Sequence, residues 1–466
     1  MKIFFLIAHF FGIICGVAAL WRSRTPQGAA AWVVALLTMP ILSIPLFLIF
    51  GRNRFYGYIH KRQVQDQETQ EKLVEFEKLF KNEVTNNFLS PLISLARKTH
   101  QLPFTSRNKV DLLVDGEETY ASMIEAIESA SQYILFQSYI FQGDETGQRF
   151  IDAIIKKSEE GVAVYILFDK IGTRINSRYE KQLNRENIYL GYFRSSQSLF
   201  NRFQINFRNH RKVLVIDGKT AFVGGLNIGN EYLGRSKLGY WRDTHLKVFG
   251  AGALAAQVSF LKDWNWAKGE ILKVSWTPAE TTDIAEVMLL HTGPADDFNA
   301  ESCLFAHLNL INQAKKRIWI ATPYFIPPES LTHSLILAAM RGVDVRIMLP
   351  QKTDNRILAL ASTVYIERLL SAGINFFKFT PGFSHQKVLL CDEISVVGSV
   401  NLDNRSFFIN FEIMGIVDER EFSSKLEKML LEDFAKSKEL LLTDFKRFTR
   451  TRKLLARVVN LLSPML

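Results

Sequence analysis

Hydrophobic and polar positions divide the chain into distinct regimes. Ile3–Leu20 is apolar apart from His9, and Ala29–Phe50 carries no charge. Each run is near the ~20 residues with which a helix crosses a bilayer. The pattern predicts a two-helix transmembrane hairpin over residues 1–54. A cleaved signal peptide, Lys2 followed by an apolar core, would explain the first run alone; the second run favours the hairpin. Pro40 and Pro45 fall in that second run and are tolerated in membrane helices. Arg22 and Arg24 occupy the expected turn, and Arg52, Arg54, Lys61 and Arg62 follow the second span. The positive-inside rule then weakly favours a cytoplasmic main body, giving a multi-pass protein of the bacterial inner membrane.

Residues 55–105 are densely charged and helix-prone, a solvated linker helix by expectation. Beyond them the period alternates. "VDLLVDG", "YILFQSYIF" and "VAVYILFD" read as strands, and "TYASMIEAIESA" and "RFIDAIIKKSEEG" as amphipathic helices. Such alternation argues an α/β fold with buried strands. It then recurs: Tyr139 and Tyr324 are 185 apart, Gly161 and Gly342 are 181 apart, and His210 and His385 are 175 apart. Near-constant offsets indicate a duplication, with two tandem α/β sandwich domains at 106–278 and 284–440 and the boundary near Trp276–Asp283. A basic, amphipathic segment, 441–466, closes the chain; it suits a membrane surface and a helix packed on the body equally.

The chain of 466 residues has a net charge of +10, which favours acidic partners such as nucleic acid, anionic lipid or phosphate esters. Cys15, Cys303 and Cys391 show neither a disulfide framework nor zinc spacing, and Cys391 reads as a small buried residue. The chemistry sits in a repeated octapeptide, "HRKVLVID" (His210–Asp217) and "HQKVLLCD" (His385–Asp392). His and Lys two apart share one face of an extended segment, here His210 with Lys212 and His385 with Lys387. Asp217 and Asp392, expected with the His and Lys to be catalytic, fall at the following turn, and a returning strand carries Asn227 or Asn401 in support. One copy would be unremarkable; two copies in a parallel repeat suggest half-sites meeting at a pseudo-twofold. One histidine would attack phosphorus while the other protonates the leaving alkoxide, with Lys and Asn neutralising the non-bridging oxygens. Chemistry of this kind calls for no cofactor and no metal.

The doubled H-x-K-x-x-x-x-D followed by G-[GS]-x-N resembles the phospholipase D superfamily. The resemblance implies two phospholipase D-like domains, a phospho-histidine intermediate and a general-acid histidine, with His210 the expected nucleophile. Asp392 to Gly398 is one residue shorter than Asp217 to Gly224, which suggests a shorter turn that moves Asp392 rather than the histidine. The superfamily also places an acid after each histidine that orients its imidazole. Asp243 lies 33 residues after His210, and Glu412 lies 27 after His385.

The motif alone specifies phosphodiester chemistry and leaves lipase, nuclease and transferase open. "SRTPQGAAAWVVALLTMPILSIPLFLIFGRNR", "LPFTSRNKVDLLVDGEETYASMIEAIESA" and "SVNLDNRSFFINFEI" are similar to bacterial cardiolipin synthases. That similarity implies transfer of a phosphatidyl group between two phosphatidylglycerols, releasing glycerol. The implied partners are phosphatidylglycerol, other anionic phospholipids and a membrane, with no nucleic acid expected. Hydrolysis to phosphatidic acid, transfer to another alcohol, a membrane-tethered nuclease and a non-catalytic lipid scaffold are the competing readings. Arg174, Arg178, Lys181, Arg185, Arg194, Arg202 and Arg208, interleaved with Phe200 and Phe203, form either a headgroup-attracting mouth or a plain solvated loop.

Overall fold

The computed structural model describes residues 2–51, 55, 71, 88–99, 101–173, 175, 177–195, 206–294 and 300–465. Most of the expected linker helix, and Arg174, Phe200, Arg202 and Phe203 of the basic stretch, lie outside the described residues.

The duplication appears as a mirrored order of strands in a single 15-stranded sheet. At its centre Thr105–Val114 pairs antiparallel with Ala285–Thr292, the first strand of each repeat. Outward on one side run Thr244–Gly250, Thr220–Gly224, Val213–Ile216, Tyr133–Ser138, Ala163–Asp169 and Ile188–Phe193. Outward on the other run Glu412–Asp418, Ile394–Gly398, Val388–Cys391, Arg317–Ala321, Asp344–Pro350 and Asn375–Phe379, with Ser437–Leu440 as an extra edge. Strands such as Tyr133–Ser138 and Val388–Cys391 are buried at every position, as continuous apolar runs require when both faces are covered. Leu246 and Val248 of the first repeat share one apolar core with Val397, Ile413 and Val417 of the second.

Buried polar groups then tie the halves together. Arg211, the residue between His210 and Lys212, is 2% exposed and so must be fully paired. It meets Asp263 at 2.7 Å and donates to the carbonyls of Glu412 (3.1 Å) and Thr292 (2.8 Å) in the second repeat. Gln386, the corresponding residue of the second motif, donates to Asp433, which also binds Arg242 of the first repeat at 2.9 Å.

The N-terminal region departs from the expected hairpin. Lys2–Arg22 is one helix, long and apolar enough to cross a membrane. The second apolar run is two shorter helices, Pro26–Thr38 and Pro40–Phe50, because Met39 leaves helical geometry ahead of Pro40. The third helix folds back on the second: Ser43 Oγ donates to the Ala35 carbonyl at 3.0 Å, and Trp32 and Phe47 meet edge to face at 5.3 Å. At the other end of the chain, Arg450–Asn460 packs through buried Ala456, and Lys453 bonds Glu367 at 3.2 Å. Leu454, Leu455 and Val458 stay exposed, so this helix is both packed on the body and open along an apolar stripe.

Replacing Arg211 with Met is expected to destabilise the fold by about 3–5 kcal/mol, since it strands a buried Asp263 charge. Denaturant unfolding of the solubilised protein would show the lowered midpoint.

Candidate active site

Each motif begins just ahead of a buried hairpin. Val213–Ile216 pairs with Thr220–Gly224, and Val388–Cys391 with Ile394–Gly398. The strands begin one residue after Lys212 and Lys387, so His and Lys occupy extended backbone at the strand mouth rather than the strand itself. The first hairpin closes with Ile216 opposite Thr220, the second with Cys391 opposite Ile394. The second turn is thus one residue shorter, as the spacing suggested.

The partner repeat holds each histidine. The His210 amide donates to the Phe411 carbonyl at 2.8 Å, and the His385 amide to the Arg242 carbonyl at 2.7 Å. Gly382–Ser384 pairs in parallel with Tyr240–Arg242. The orienting acids cross over in the same way. His210 Nδ1 lies 2.9 Å from Glu412 Oε2, and His385 Nδ1 lies 2.7 Å from Asp243 Oδ2. The acid that follows a histidine in sequence therefore serves the other histidine. Both carboxylates are fully buried.

The small residue two places before each motif asparagine sits against these acids. A Cβ at Gly225 would come 2.1 Å from Asp243 Oδ1, so glycine keeps that carboxylate's space open. Its counterpart, Ser399, donates its hydroxyl to Glu412, which also accepts from Asn410 at 3.1 Å. Neither contact could be read from spacing, although the serine of "GSVN" was in plain view.

Lys212 Nζ donates to the His210 carbonyl at 2.6 Å and stands 5.3 Å from the centre of the Tyr139 ring. Lys387 Nζ bonds the His385 carbonyl and lies 3.7 Å from Asp243. It also approaches His385 Nδ1 at 2.6 Å. That nitrogen cannot both accept from Lys387 and donate to Asp243. The carboxylate has no proton to give, so the Nδ1–H···Asp243 arrangement is the consistent one. Nε2 of His385 is then left for the reaction, and the equivalent argument frees Nε2 of His210.

Burial dominates the electrostatics. It pushes Lys212 down to about 7, against the pull of Glu412, and Lys387 down to about 8, against Asp243. It lowers both histidines, His385 the further, with Lys387, Lys212 and His210 adding to the effect there. These mutual influences place both histidines and both lysines in one cluster. Burial raises Asp243 to about 6. Burial also works to raise Glu412, but His210, Lys212 and the Ser399 hydroxyl overcome it and hold that acid below its ordinary range. At neutral pH the site holds two neutral imidazoles and two carboxylates facing two lysines of weakened charge.

The remaining expected residues lie elsewhere. Asp217 and Asp392 are not in the cluster; the four-residue strand between lysine and turn carries them about 13 Å away. With φ of 53° and 51° they cap the hairpin turns. Asp217 accepts from Ser131 N, Ser131 Oγ, Gln132 N and Tyr133 N at 2.8–2.9 Å. Asp392 accepts from the amides of Lys315, Lys316 and Arg317 at 2.8–3.0 Å. The geometry gives both a structural place at the head of the next strand rather than the catalytic one expected of them. Asn227 is committed to Tyr232 OH and the Ile140 amide, while buried Asn401 has an unpartnered Oδ1. Cys391 is buried, its Sγ donating to the Leu310 carbonyl. Arg178, Lys181 and Arg185 line a shallow surface pocket. Arg208 instead lies beside Tyr139 together with Arg405, both acting on that phenol. No cluster of metal-binding side chains occurs among the described residues.

Aromatic rings wall the site, a feature spacing could not disclose. Tyr139 meets the His210 ring edge-on at 4.9 Å. Trp241 and Phe383 lie 5.7 Å from His385, and Tyr232 lies 6.0 Å away.

Paired histidines and lysines joined across a duplicated α/β fold define a phospholipase D-like protein. A family described as "Cardiolipin synthase, PLD-like domain" matches residues 123–237 and 307–434. Cardiolipin synthase A of Pseudomonas fluorescens (strain SBW25) is 40% identical over 99% of this chain and 98% of its own length. Its namesake from Pseudomonas aeruginosa (strain PAO1) is 39% identical over 98% and 94%. Among solved structures, phosphatidylserine synthase of Haemophilus influenzae Rd KW20 shares the fold, with a TM-score of 0.61 at 18% identity over 81% of this chain and all of its own. The chain belongs to the cardiolipin synthase family.

Activity should follow a bell-shaped pH curve. Asp243 must be ionised to hold His385, so kcat/KM falls below about pH 6. Lys212 must be protonated to bind phosphate, so kcat/KM falls again above about pH 7. The two limbs report the coupled cluster rather than single groups. Replacing Asp217 with Ala orphans three backbone N–H groups and is expected to lower stability by about 2–4 kcal/mol, while specific activity of the folded fraction persists. Unfolding curves beside active-site-normalised rates would check both.

Proposed function

We propose that the crossed site makes cardiolipin in two displacements. His210 Nε2 attacks the phosphorus of one phosphatidylglycerol, and the bond to the glycerol oxygen breaks. His385, neutral in the free site, takes up its Nε2 proton once the entering diester's negative charge offsets the burial and the neighbouring lysines; steadied by Asp243, it gives that proton to the departing oxygen. Neutral His385 then takes the hydroxyl proton of a second phosphatidylglycerol. The resulting oxygen attacks phosphorus, the P–N bond breaks, and His210 is regenerated. Lys212 and Lys387 hold the non-bridging oxygens, whose charge restores their lowered pKa values. Asp217 and Asp392 brace the hairpins, and Asn227 and Asn401 stand behind them. The catalytic repeats, 106–278 and 284–440, work at the bacterial inner membrane on its cytoplasmic side.

The observation that carries this reading is the crossed hold on the two histidines, each bound at Nδ1 by a buried carboxylate of the other repeat. Each displacement uses both: one histidine carries the phosphoryl group while the other gives the proton and then takes it. Transfer over hydrolysis is supported by the Tyr232, Trp241 and Phe383 rings around His385, whose apolar faces favour a lipid alcohol over water beside that histidine. Arg208 and Arg405 near Tyr139 suit an anionic headgroup.

Incubation with phosphatidylglycerol liposomes, followed by mass spectrometry of lipids, tests the reading. Wild type should yield cardiolipin and glycerol, and His210→Ala and His385→Ala neither, with losses of at least about 10³-fold. Phosphatidic acid as the main product would replace transfer with hydrolysis.

A further inference from the structure

We propose that residues 26–50 do not cross the membrane but dip into the leaflet facing the catalytic body and return, leaving Lys2–Arg22 as the only crossing in this region. The proposal stands on the fold and is independent of the reaction chemistry.

Length is the first argument. Helix Pro26–Thr38 has 13 residues and Pro40–Phe50 has 11. At about 1.5 Å per residue they reach only about 20 and 17 Å, short of the ~30 Å hydrocarbon core. Lys2–Arg22, with 21 residues, reaches about 31 Å. The helices cannot add their lengths, because they lie back to back through the Ser43–Ala35 bond and the Trp32–Phe47 contact.

Attachment of both ends is the second argument. Before the pair, the Arg24 guanidinium stacks over the Phe408 ring, 3.2 Å from its centre. After it, the Phe55 amide donates to the Pro294 carbonyl at 2.7 Å. The Phe55 ring is buried among Phe193, Phe207, Trp266 and Phe411. A segment whose two ends touch one body leaves and returns on one face.

The apex is chemically suited to hydrocarbon. Backbone polar groups there must be satisfied internally. The Met39 amide donates to Ala35 O at 2.8 Å, Ser43 N donates to Met39 O at 3.0 Å, and Thr38 Oγ1 donates to Val34 O at 2.8 Å. Pro40 brings no N–H to the turn. Val34, Leu37, Met39, Ile41 and Leu42 around the apex are 46–61% exposed, an apolar surface that only lipid would cover. Charge agrees as well: with a single crossing, Arg22 and Arg24 fall on the body's side, leaving Lys2 opposite.

The consequence is positional. Phe408 ends the short helix Asn404–Phe408 that follows the second motif, and Asn404 donates to the Ser463 carbonyl beyond the C-terminal helix at 2.9 Å. The dipping pair and the exposed stripe of Leu454, Leu455 and Val458 therefore converge beside one motif. Both seat that side of the body on the leaflet that supplies lipid.

The test uses the full chain in sealed bacterial membranes, with Cys15→Ala and one reporter each at Lys2→Cys, Arg22→Cys or Lys428→Cys. A membrane-impermeant maleimide is applied to spheroplasts and to inverted vesicles. Labelling of Arg22→Cys and Lys428→Cys from one face, and of Lys2→Cys from the other, is expected. Lys2→Cys and Lys428→Cys on one face with Arg22→Cys opposite would establish two full spans and overturn the proposal. All three on one face would overturn it too, because no segment would then cross.

Discussion

The structure depends on an exchange of hydrogen bonds across the seam between its repeats. Glu412 of the second repeat holds His210 of the first, and Asp243 of the first holds His385 of the second. Neither half alone contains a histidine with an oriented imidazole, so docking of the halves and assembly of the site are one event. The backbone repeats the exchange: Phe411 receives the His210 amide, and Arg242 receives that of His385. Such a seam has to be rigid, because a carboxylate displaced by an ångström no longer selects the tautomer. Arg211 and Arg242 provide that rigidity, each fully buried or nearly so and each bonded across to the other half.

Burying four ionisable groups around two histidines is expensive unless the charges compensate. Two carboxylates stand against two lysines, and the balance is imperfect by design of the chemistry. The lysines are held near the edge of losing their protons, so a phosphate diester entering the site supplies the missing negative charge and firms them up. A bound diester thus completes the electrostatics of the cluster.

Much of this was legible in sequence because duplication leaves a measurable offset. Strand and helix alternation and the twin motifs can be picked from spacing, and the resemblance to the phospholipase D superfamily singles out the two acids. Pairing cannot. Sequence order attaches Asp243 to His210, whereas the fold assigns it to His385, since a pseudo-twofold brings the trailing strand of one repeat beside the leading loop of the other. Asp217 and Asp392 misled for a related reason: proximity in sequence to a reactive histidine says nothing once a buried strand lies between. In the second apolar run composition alone does not give the number of helices. Its 22 uncharged residues have the length of a span, but Met39 before Pro40 breaks the helix, and packing of Trp32 on Phe47 then folds it in two.

Exact symmetry would leave the two histidines interchangeable, yet the reaction requires one nucleophile and one acid. The differences lie in what supports each half. Ser399 and Asn410 donate to Glu412 and keep it ionised, while Gly225 gives Asp243 only space, leaving its affinity for protons higher. A firmly ionised partner suits a nucleophile that becomes positively charged on attack; a more basic partner suits a histidine that gains and loses protons. The surroundings break the symmetry in the same sense. Asn230–Leu233, the counterpart of Asn404–Phe408, packs inward, with Asn230 accepting from Thr146. Asn404–Phe408 meets Arg24 and the C-terminal segment instead. A duplicated fold has thus acquired direction from a few substitutions at equivalent positions, with distinct proton affinities inside and distinct neighbours outside.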